Sequence, residues 1–349
     1  MEITSAALYR FELPLARAVH LGDQVCTSRK GLILCLESAD GQGIGEISPL
    51  PGFSRESSGD VEAQLTDLLP VLTGPVLSGS LTTMALQQHC RQRLYPSVQF
   101  GVEMAVLNLL ATAAGRSVRH TLAAALPGDV AVRTGPVPVI RLLSGDRQRV
   151  LDGATAAREA GVAAVKLKVS CHAGDAGLVR DVRGILGSEI RLTLDANRSG
   201  GYAMAWRFGA AVRDCGLAWI EEPCDDPQRF ADLFSETGIP YALDETLQDP
   251  AATPAVTPGT GALVVKPQLC GGVQRTLGLW QLARQTGTGL VISSARETAV
   301  ARHFLAELAA VLTPTEPAGL DTADFQVDLF NPAQPEILQM DLLEALRRV

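Results

Sequence analysis

Hydrophobic and polar positions alternate in short blocks over the first third of the chain. Ser5 to Leu13 mixes aliphatic, aromatic and charged residues as a strand does, and Gly31 to Ser38 (GLILCLES) is almost continuously apolar. Asp40-Gly41 is a hairpin signal, and Gly43 to Ile47 offers the return strand. The segment Ser48 to Ser58, rich in Pro, Gly and Ser, reads as a loop. Apolar residues then recur at helical spacing over Asp60 to Leu72 and Thr82 to Leu94, and Ser97 to Ala114 predicts a longer, buried helix. Gly41, Gly43 and Gly45 lack the strand-to-helix setting of a nucleotide-binding loop and read as a turn in a small sheet. This first stretch is an α+β unit.

The rhythm changes after Pro136. Short apolar segments now follow one another: Val137 to Leu142, Val165 to Val169, Arg191 to Leu194, Leu217 to Ile220, Tyr241 to Leu243, Ala262 to Val265 and Leu290 to Ile292, with Gly319 to Leu320 as a short eighth. Helices are predicted between them over Ala154 to Ala160, Ala176 to Leu186, Ala203 to Cys215, Pro227 to Thr237 and Val273 to Thr286. Strands covered on both faces by helices are short, apolar and non-alternating, as these are. Seven or eight βα units in succession predict a parallel sheet closed into a barrel. The expected division is a cap over residues 1–130, a barrel over 131–324, and a tail, 325–349, packing back on the cap.

Five consecutive strand candidates end in ionisable residues. They read Val165-Lys166-Leu167-Lys168, Leu194-Asp195-Ala196-Asn197, Ile220-Glu221-Glu222-Pro223, Leu243-Asp244-Glu245 and Val265-Lys266-Pro267. Steps of 27, 26, 23 and 22 residues separate Lys168, Asp195, Glu221, Asp244 and Lys266. One βα unit of such a barrel takes roughly 25–31 residues, and active sites sit at its C-terminal rim. A single charge at a strand end is ordinarily a helix cap or a loop edge. Five at unit spacing deliver Lys, Asp, Glu, Asp and Lys to one rim.

Three converging carboxylates repel one another unless a cation sits between them, and a hard divalent ion such as Mg²⁺ favours oxygen ligands. Lysines beside such a site can serve as acid and base. Lys166 and Lys168 lie two apart on one strand, so both point the same way and Lys166 disfavours the ammonium of Lys168 by like-charge repulsion. A metal with amine bases suits removal of a proton next to a carboxylate, since the metal stabilises the enediolate as charge develops.

Composition narrows the partners. The 349 residues are 46% hydrophobic, enough for a large core, and 30 Lys and Arg stand against 38 Asp and Glu for a net charge of −8. That balance argues against nucleic acid or an anionic membrane surface and leaves a small-molecule carboxylate as the expected partner. Seven cysteines without CxxC spacing read as free thiols in a reducing compartment. With no signal-peptide pattern at Met1 to Arg10 and no apolar run of about 18 residues, a cytoplasmic protein is expected. The sequence carries no signal of oligomeric state.

The K-x-K, LDAN, EEP, DE and KP series resembles the enolase superfamily, in its muconate-lactonizing-enzyme-like subgroup. That resemblance implies an α/β fold: a modified TIM barrel, (β/α)7β-like, with an N-terminal α+β capping domain. Gly43 to Ser54 (GIGEISPLPGFS), Pro96 to Val102 (PSVQFGV), Ile292 to Glu297 (ISSARE) and Gly319 to Asp324 (GLDTAD) are similar to the menaquinone-pathway dehydratases of that superfamily, which make 2-succinylbenzoate. The resemblance implies Asp195, Glu221 and Asp244 as ligands of Mg²⁺, with Mn²⁺ as a substitute, and Glu222 and Glu245 behind them. It implies Lys168 as the base that takes the α-proton and returns it to the departing hydroxyl, Lys266 as the opposing cation, and Lys166 beside them.

The same resemblance implies Ser293, Gly319, Asn197 and Phe53 as substrate contacts, with a loop around Val19 to Arg29 closing over the site. Arg296 stands where the family often carries a smaller or apolar residue, and Thr193 where some members have an arginine. Two other readings share the scaffold: an N-acylamino-acid racemase or dipeptide epimerase, and a barrel that binds without catalysis.

Overall fold

The long hairpin that begins the chain is longer than its sequence pattern indicates. The structure is a computed structural model and describes residues 1–21, 24–75, 93–322 and 347–348. Strand β1 (Glu2–Leu21) pairs antiparallel with β2 (Gln24–Ser38), which pairs with β3 (Gly41–Ile47) across a turn at Ala39-Asp40. The loop expected from Val19 to Arg29 is strand instead: beyond a register shift between Pro14 and Val19, pairing resumes at Val19–Cys26 and runs to Leu21–Gln24. On the other side of β1, β4 (Gly74–Pro75) pairs with Glu2 and Ile3.

The unbroken apolar run in β2 has a packing cause. Leu32, Leu34 and Leu36 face helices Ser58–Leu72 and Pro96–Ala113, while Ile33 and Cys35 join the core shared with the barrel. Both faces of this strand are covered, so neither can be polar. Gly43 and Gly45 lie inside β3, as the expected return strand has it, and not in the turn also read there. A Cβ there would come within 2.0 Å of the Ala105 carbonyl and 1.8 Å of the Gly101 carbonyl, so glycine lets the long helix approach the sheet. Ser57 and Asp60 form a reciprocal capping box at the start of Ser58–Leu72. The helix expected over 82–94 falls almost wholly outside the described residues.

Seven parallel strands follow: β5 (Arg141–Leu143), β6 (Ala164–Lys168), β7 (Arg191–Asp195), β8 (Leu217–Glu221), β9 (Tyr241–Leu243), β10 (Thr260–Val265) and β11 (Gly289–Ile292). They pair in sequence order. The expected eighth strand is reduced to two single bridges, Ala318 to Val139 and Gly319 to Ser293, which join the first and last edges of the sheet. The Ile140 amide donates to Ala318 at 2.8 Å and the Gly319 amide to Ile292 at 2.9 Å. The fold is thus a modified barrel with an N-terminal cap.

Helices lie between the strands where periodicity predicts them, and among the described residues three α-helices went unpredicted: Val118–Ala125, Pro267–Cys270 and Ala299–Leu312. At the far end of the chain, β12 (Arg347–Arg348) pairs with Tyr9 and Arg10 of β1; the rest of the tail from 325 lies outside the described residues. The six described cysteines are all free. Among the described residues no single helix is long and apolar enough to cross a membrane.

Candidate active site

Strand register brings the predicted charges onto one rim. Lys168 pairs with Asp195, and Asp195 with Glu221, so three neighbouring strands end level. Asp244 follows β9 and Lys266 follows β10. Side chains alternate across a strand, so Lys166 and Lys168 share a face one step apart.

The side chains converge. The Lys168 ammonium donates to Asp195 Oδ2 at 2.7 Å, and Lys166 lies 3.2 Å from both Asp195 Oδ2 and Glu221 Oε2. On the opposite edge Lys266 donates to Asp244 Oδ2. Asp195, Glu221 and Asp244 are buried, and each offers one oxygen within 4.8 Å of the other two. Asp244 Oδ1 is buried with no hydrogen-bond partner among the described residues. An unpartnered carboxylate oxygen in an all-oxygen donor set fits a hard cation such as Mg²⁺, which keeps further positions for water or substrate.

Electrostatics agree with crowded charge. Burial, opposed by Lys166 and reinforced by Asp195 and Asp244, pushes the Glu221 carboxyl up to about 7. Burial works on Asp195 in the same direction, but Lys168 and Lys166 outweigh it and hold its carboxyl below the ordinary range. Burial works against the Lys166 ammonium, yet Glu221, Asp195 and Asp244 together raise its pKa. Lys266 behaves alike, with Asp244 the main stabilising charge.

Glu222 and Glu245 stand behind this group. The fully buried Glu222 accepts from the Asp244 and Thr246 amides at 2.8 Å each, and from Arg198 Nε at 2.6 Å. It therefore holds the backbone that carries Asp244. Asn197 accepts from Lys168 through Oδ1 and donates through Nδ2 to Glu245 at 2.9 Å. Burial and the Asp244 charge raise the Glu245 pKa.

The described non-glycine residues in the left-handed region are Cys171, Asn197, Arg198, Glu222 and Arg296. All lie just beyond C-terminal ends of barrel strands, where unfavourable backbone geometry often accompanies function.

The rim opens into a cavity of about 1120 Å³ between cap and barrel. Lys166, Lys168, Asp195, Asn197, Glu245, Lys266, Ser293, Gly319 and Phe53 all line it. Ser293 Oγ donates to the Gly319 carbonyl at 3.2 Å, and a Cβ at Gly319 would come within 2.6 Å of Ser293 Oγ. Arg296 also lines the cavity, whereas buried Thr193 directs its hydroxyl to the Val165 carbonyl at 3.3 Å. Sequence reasoning missed Arg17, Arg55, Arg198, Thr246 and Gln248, which also line it. Arg198, one step past Asn197, and Thr246, one step past Glu245, have a positional signal; Arg17 and Gln248 have none.

Family comparisons bear on this site. Residues 3–109 match the family description "MenC, N-terminal domain", and residues 149–339 match "Enolase C-terminal domain-like". The o-succinylbenzoate synthase of Escherichia coli O157:H7 (strain EC4115 / EHEC) is 32% identical over 98% of this chain and 99% of its own length. The chain belongs to the o-succinylbenzoate synthase family, within the enolase superfamily. It is therefore an enzyme of a lyase family.

Solved structures share the fold of this synthase-family chain at lower identity. MenC from Desulfotalea psychrophila LSv54 has a TM-score of 0.76 at 22% identity, covering 95% of this chain and 97% of that one. A dipeptide epimerase from Cytophaga hutchinsonii, complexed with Mg and a dipeptide, has a TM-score of 0.83 at 18% identity, covering 100% and 99%.

Proposed function

We propose that this chain dehydrates 2-succinyl-6-hydroxy-2,4-cyclohexadiene-1-carboxylate to 2-succinylbenzoate, the reaction for which its 32%-identical relative is named. One observation carries the reading: Lys168 and Lys266 reach the acidic triad from opposite edges, at Asp195 and Asp244. A planar carboxylate substrate over the triad would have one amine on each face.

Asp195, Glu221 and Asp244 would hold Mg²⁺, or Mn²⁺ in its place. When bound, the ion supplies positive charge that stabilises the enediolate. Lys168, as the free amine, removes the proton α to the carboxylate, and the C–H electrons pass into the enediolate. The Lys168 ammonium then protonates the departing hydroxyl on the same face, the C–O bond breaks, water leaves and the ring becomes aromatic. Lys266 faces the intermediate from the other side as a fixed cation. Asn197 orients the Lys168 amine through the acceptor it presents. Ser293, Gly319 and Phe53 would contact the succinyl arm and ring from the cavity wall. The expected partner is a small carboxylate, and the expected place in metabolism is menaquinone biosynthesis.

The opposed lysines also favour a second reading, racemisation of an N-acylamino acid or epimerisation of a dipeptide, in which Lys266 returns the proton on the other face. In both, Lys168 is essential. Lys168→Ala should lose at least about 10³-fold in turnover while keeping the wild-type circular dichroism spectrum. Unchanged turnover would remove Lys168 from the chemistry in either reading.

A further inference from the structure

A guanidinium enclosed by protein sits where the cap meets the barrel. Arg29, on β2, is 1% exposed, and burying a cation requires close compensation. All three of its nitrogens donate to backbone carbonyls: Nη2 to Ser48 at 2.6 Å, Nη1 to Pro49 at 2.8 Å and Nε to Arg296 at 3.1 Å. Glu46, and Glu297 once ionised, supply the compensating negative charge.

Those carbonyls belong to two different walls of the cavity. Ser48 and Pro49 lead directly into Leu50, Gly52, Phe53 and Arg55 of the cap, and Arg296 ends the run that begins at Ser293 after β11. Arg296 is left-handed at φ 60°, a conformation that residues bearing a Cβ rarely adopt, and its carbonyl is one that Arg29 holds. A planar fork can tie three carbonyls in three directions, which a single ammonium on a flexible stem cannot do equally. The reacting groups lie elsewhere on the rim, on and after β6 to β10.

We infer that Arg29 is a positioning residue that fixes the spacing of the two walls enclosing the non-reacting arm of the substrate. The inference rests on the reading of the cavity given under Proposed function. Arg29 acts on substrate through backbone it does not share with the lysines, so its loss changes binding rather than chemistry.

The test is Arg29→Lys in the full chain, which keeps the charge and removes the fork. KM for the cyclohexadiene acid should rise about tenfold to a hundredfold with kcat within about threefold, as expected for misplaced binding groups. Hydrogen exchange should quicken in both 48–55 and 293–298 and stay unchanged in β6 to β10. A fall in kcat at unchanged KM, unaltered kinetics, or faster exchange in only one wall overturns the inference. Should Arg29→Lys not fold, the double variant Arg29→Met with Glu297→Gln, which leaves neither group charged at any pH, carries the same expectations. Failure of both to fold also overturns it, because the clamp then serves the fold and not the cavity. Absence of dehydration by the wild type would defeat the proposed reaction, and the exchange measurement would still judge the clamp.

Discussion

Asn197 donates through Nδ2 to Glu245 Oε1 at 2.9 Å, and that bond decides which amide atom faces Lys168. An ammonium has only donors, so the amide oxygen must turn toward it and the NH₂ toward an acceptor. Glu245 is that acceptor, and the orientation follows from both neighbours together. Asn197→Asp would set a second carboxylate against Glu245. Steady-state kinetics should show kcat lower by about tenfold to a hundredfold with KM within about threefold. An unchanged kcat would mean that Lys168 needs no such support.

Binding of a cation at the triad should stabilise the fold. Mg²⁺ at about a hundred times its dissociation constant contributes about 2.7 kcal/mol, because only the folded chain assembles the three ligands. Scanning calorimetry with Mg²⁺ against chelator should raise the midpoint by a few degrees, and Asp244→Asn should abolish the rise. An equal rise in the variant would move the cation away from the triad.

Glu222 positions the Asp244 backbone through two 2.8 Å bonds to its own Oε1 and is tied to Arg198 through Oε2. Glu222→Gln keeps the size and loses the charge that satisfies Arg198. Mg²⁺ affinity, measured from activity against Mg²⁺ concentration, should weaken about tenfold to a hundredfold, the range usual for groups that orient metal ligands. Unaltered activation would show that the Asp244 backbone holds its place without the charge.

Burial, with Glu46 adding repulsion, raises the Glu297 carboxyl from 4.5 to about 7. The raised value means that the folded chain holds a proton that the unfolded chain releases earlier. Its stabilising contribution is complete below pH 4.5 and is lost as pH rises through about 7. Glu297→Gln cannot titrate. Between pH 4.5 and 8 the wild type should lose on the order of 3 kcal/mol of unfolding free energy relative to the variant, measured by denaturant titration. Parallel pH profiles would contradict the assignment.

The barrel and its charged rim were legible because both depend on local spacing. Short apolar strands recur at nearly constant intervals, and the residue after each strand must emerge at the same end, so Asp195, Glu221 and Asp244 could be aligned from the sequence alone. What escaped depends on distant partners. Arg29 only ends the stretch expected to close over the site, and its burial follows from the Arg296 carbonyl, 267 residues away, being brought against it. Helix Ala299–Leu312 has its N-terminus satisfied by Glu46 of the cap, which accepts from Thr298 Oγ1 at 2.6 Å and the Ala301 amide at 3.1 Å. Thr298 also caps that helix locally, accepting from the Val300 amide at 3.2 Å, but the Glu46 contacts leave no trace in the local pattern. Gly43 and Gly45 looked like turn residues because glycine permits turns and close approach equally, and only the packed helix separates the two uses.

The central claim is the choice of reaction at a site whose geometry serves more than one. The most direct test supplies the purified chain and Mg²⁺ with the cyclohexadiene acid and, separately, with an N-succinyl amino acid, following 2-succinylbenzoate formation and loss of optical rotation. The account predicts dehydration with kcat/KM at least about a hundredfold above racemisation, a difference of about 2.7 kcal/mol in transition-state stabilisation. Efficient racemisation without formation of 2-succinylbenzoate would contradict it.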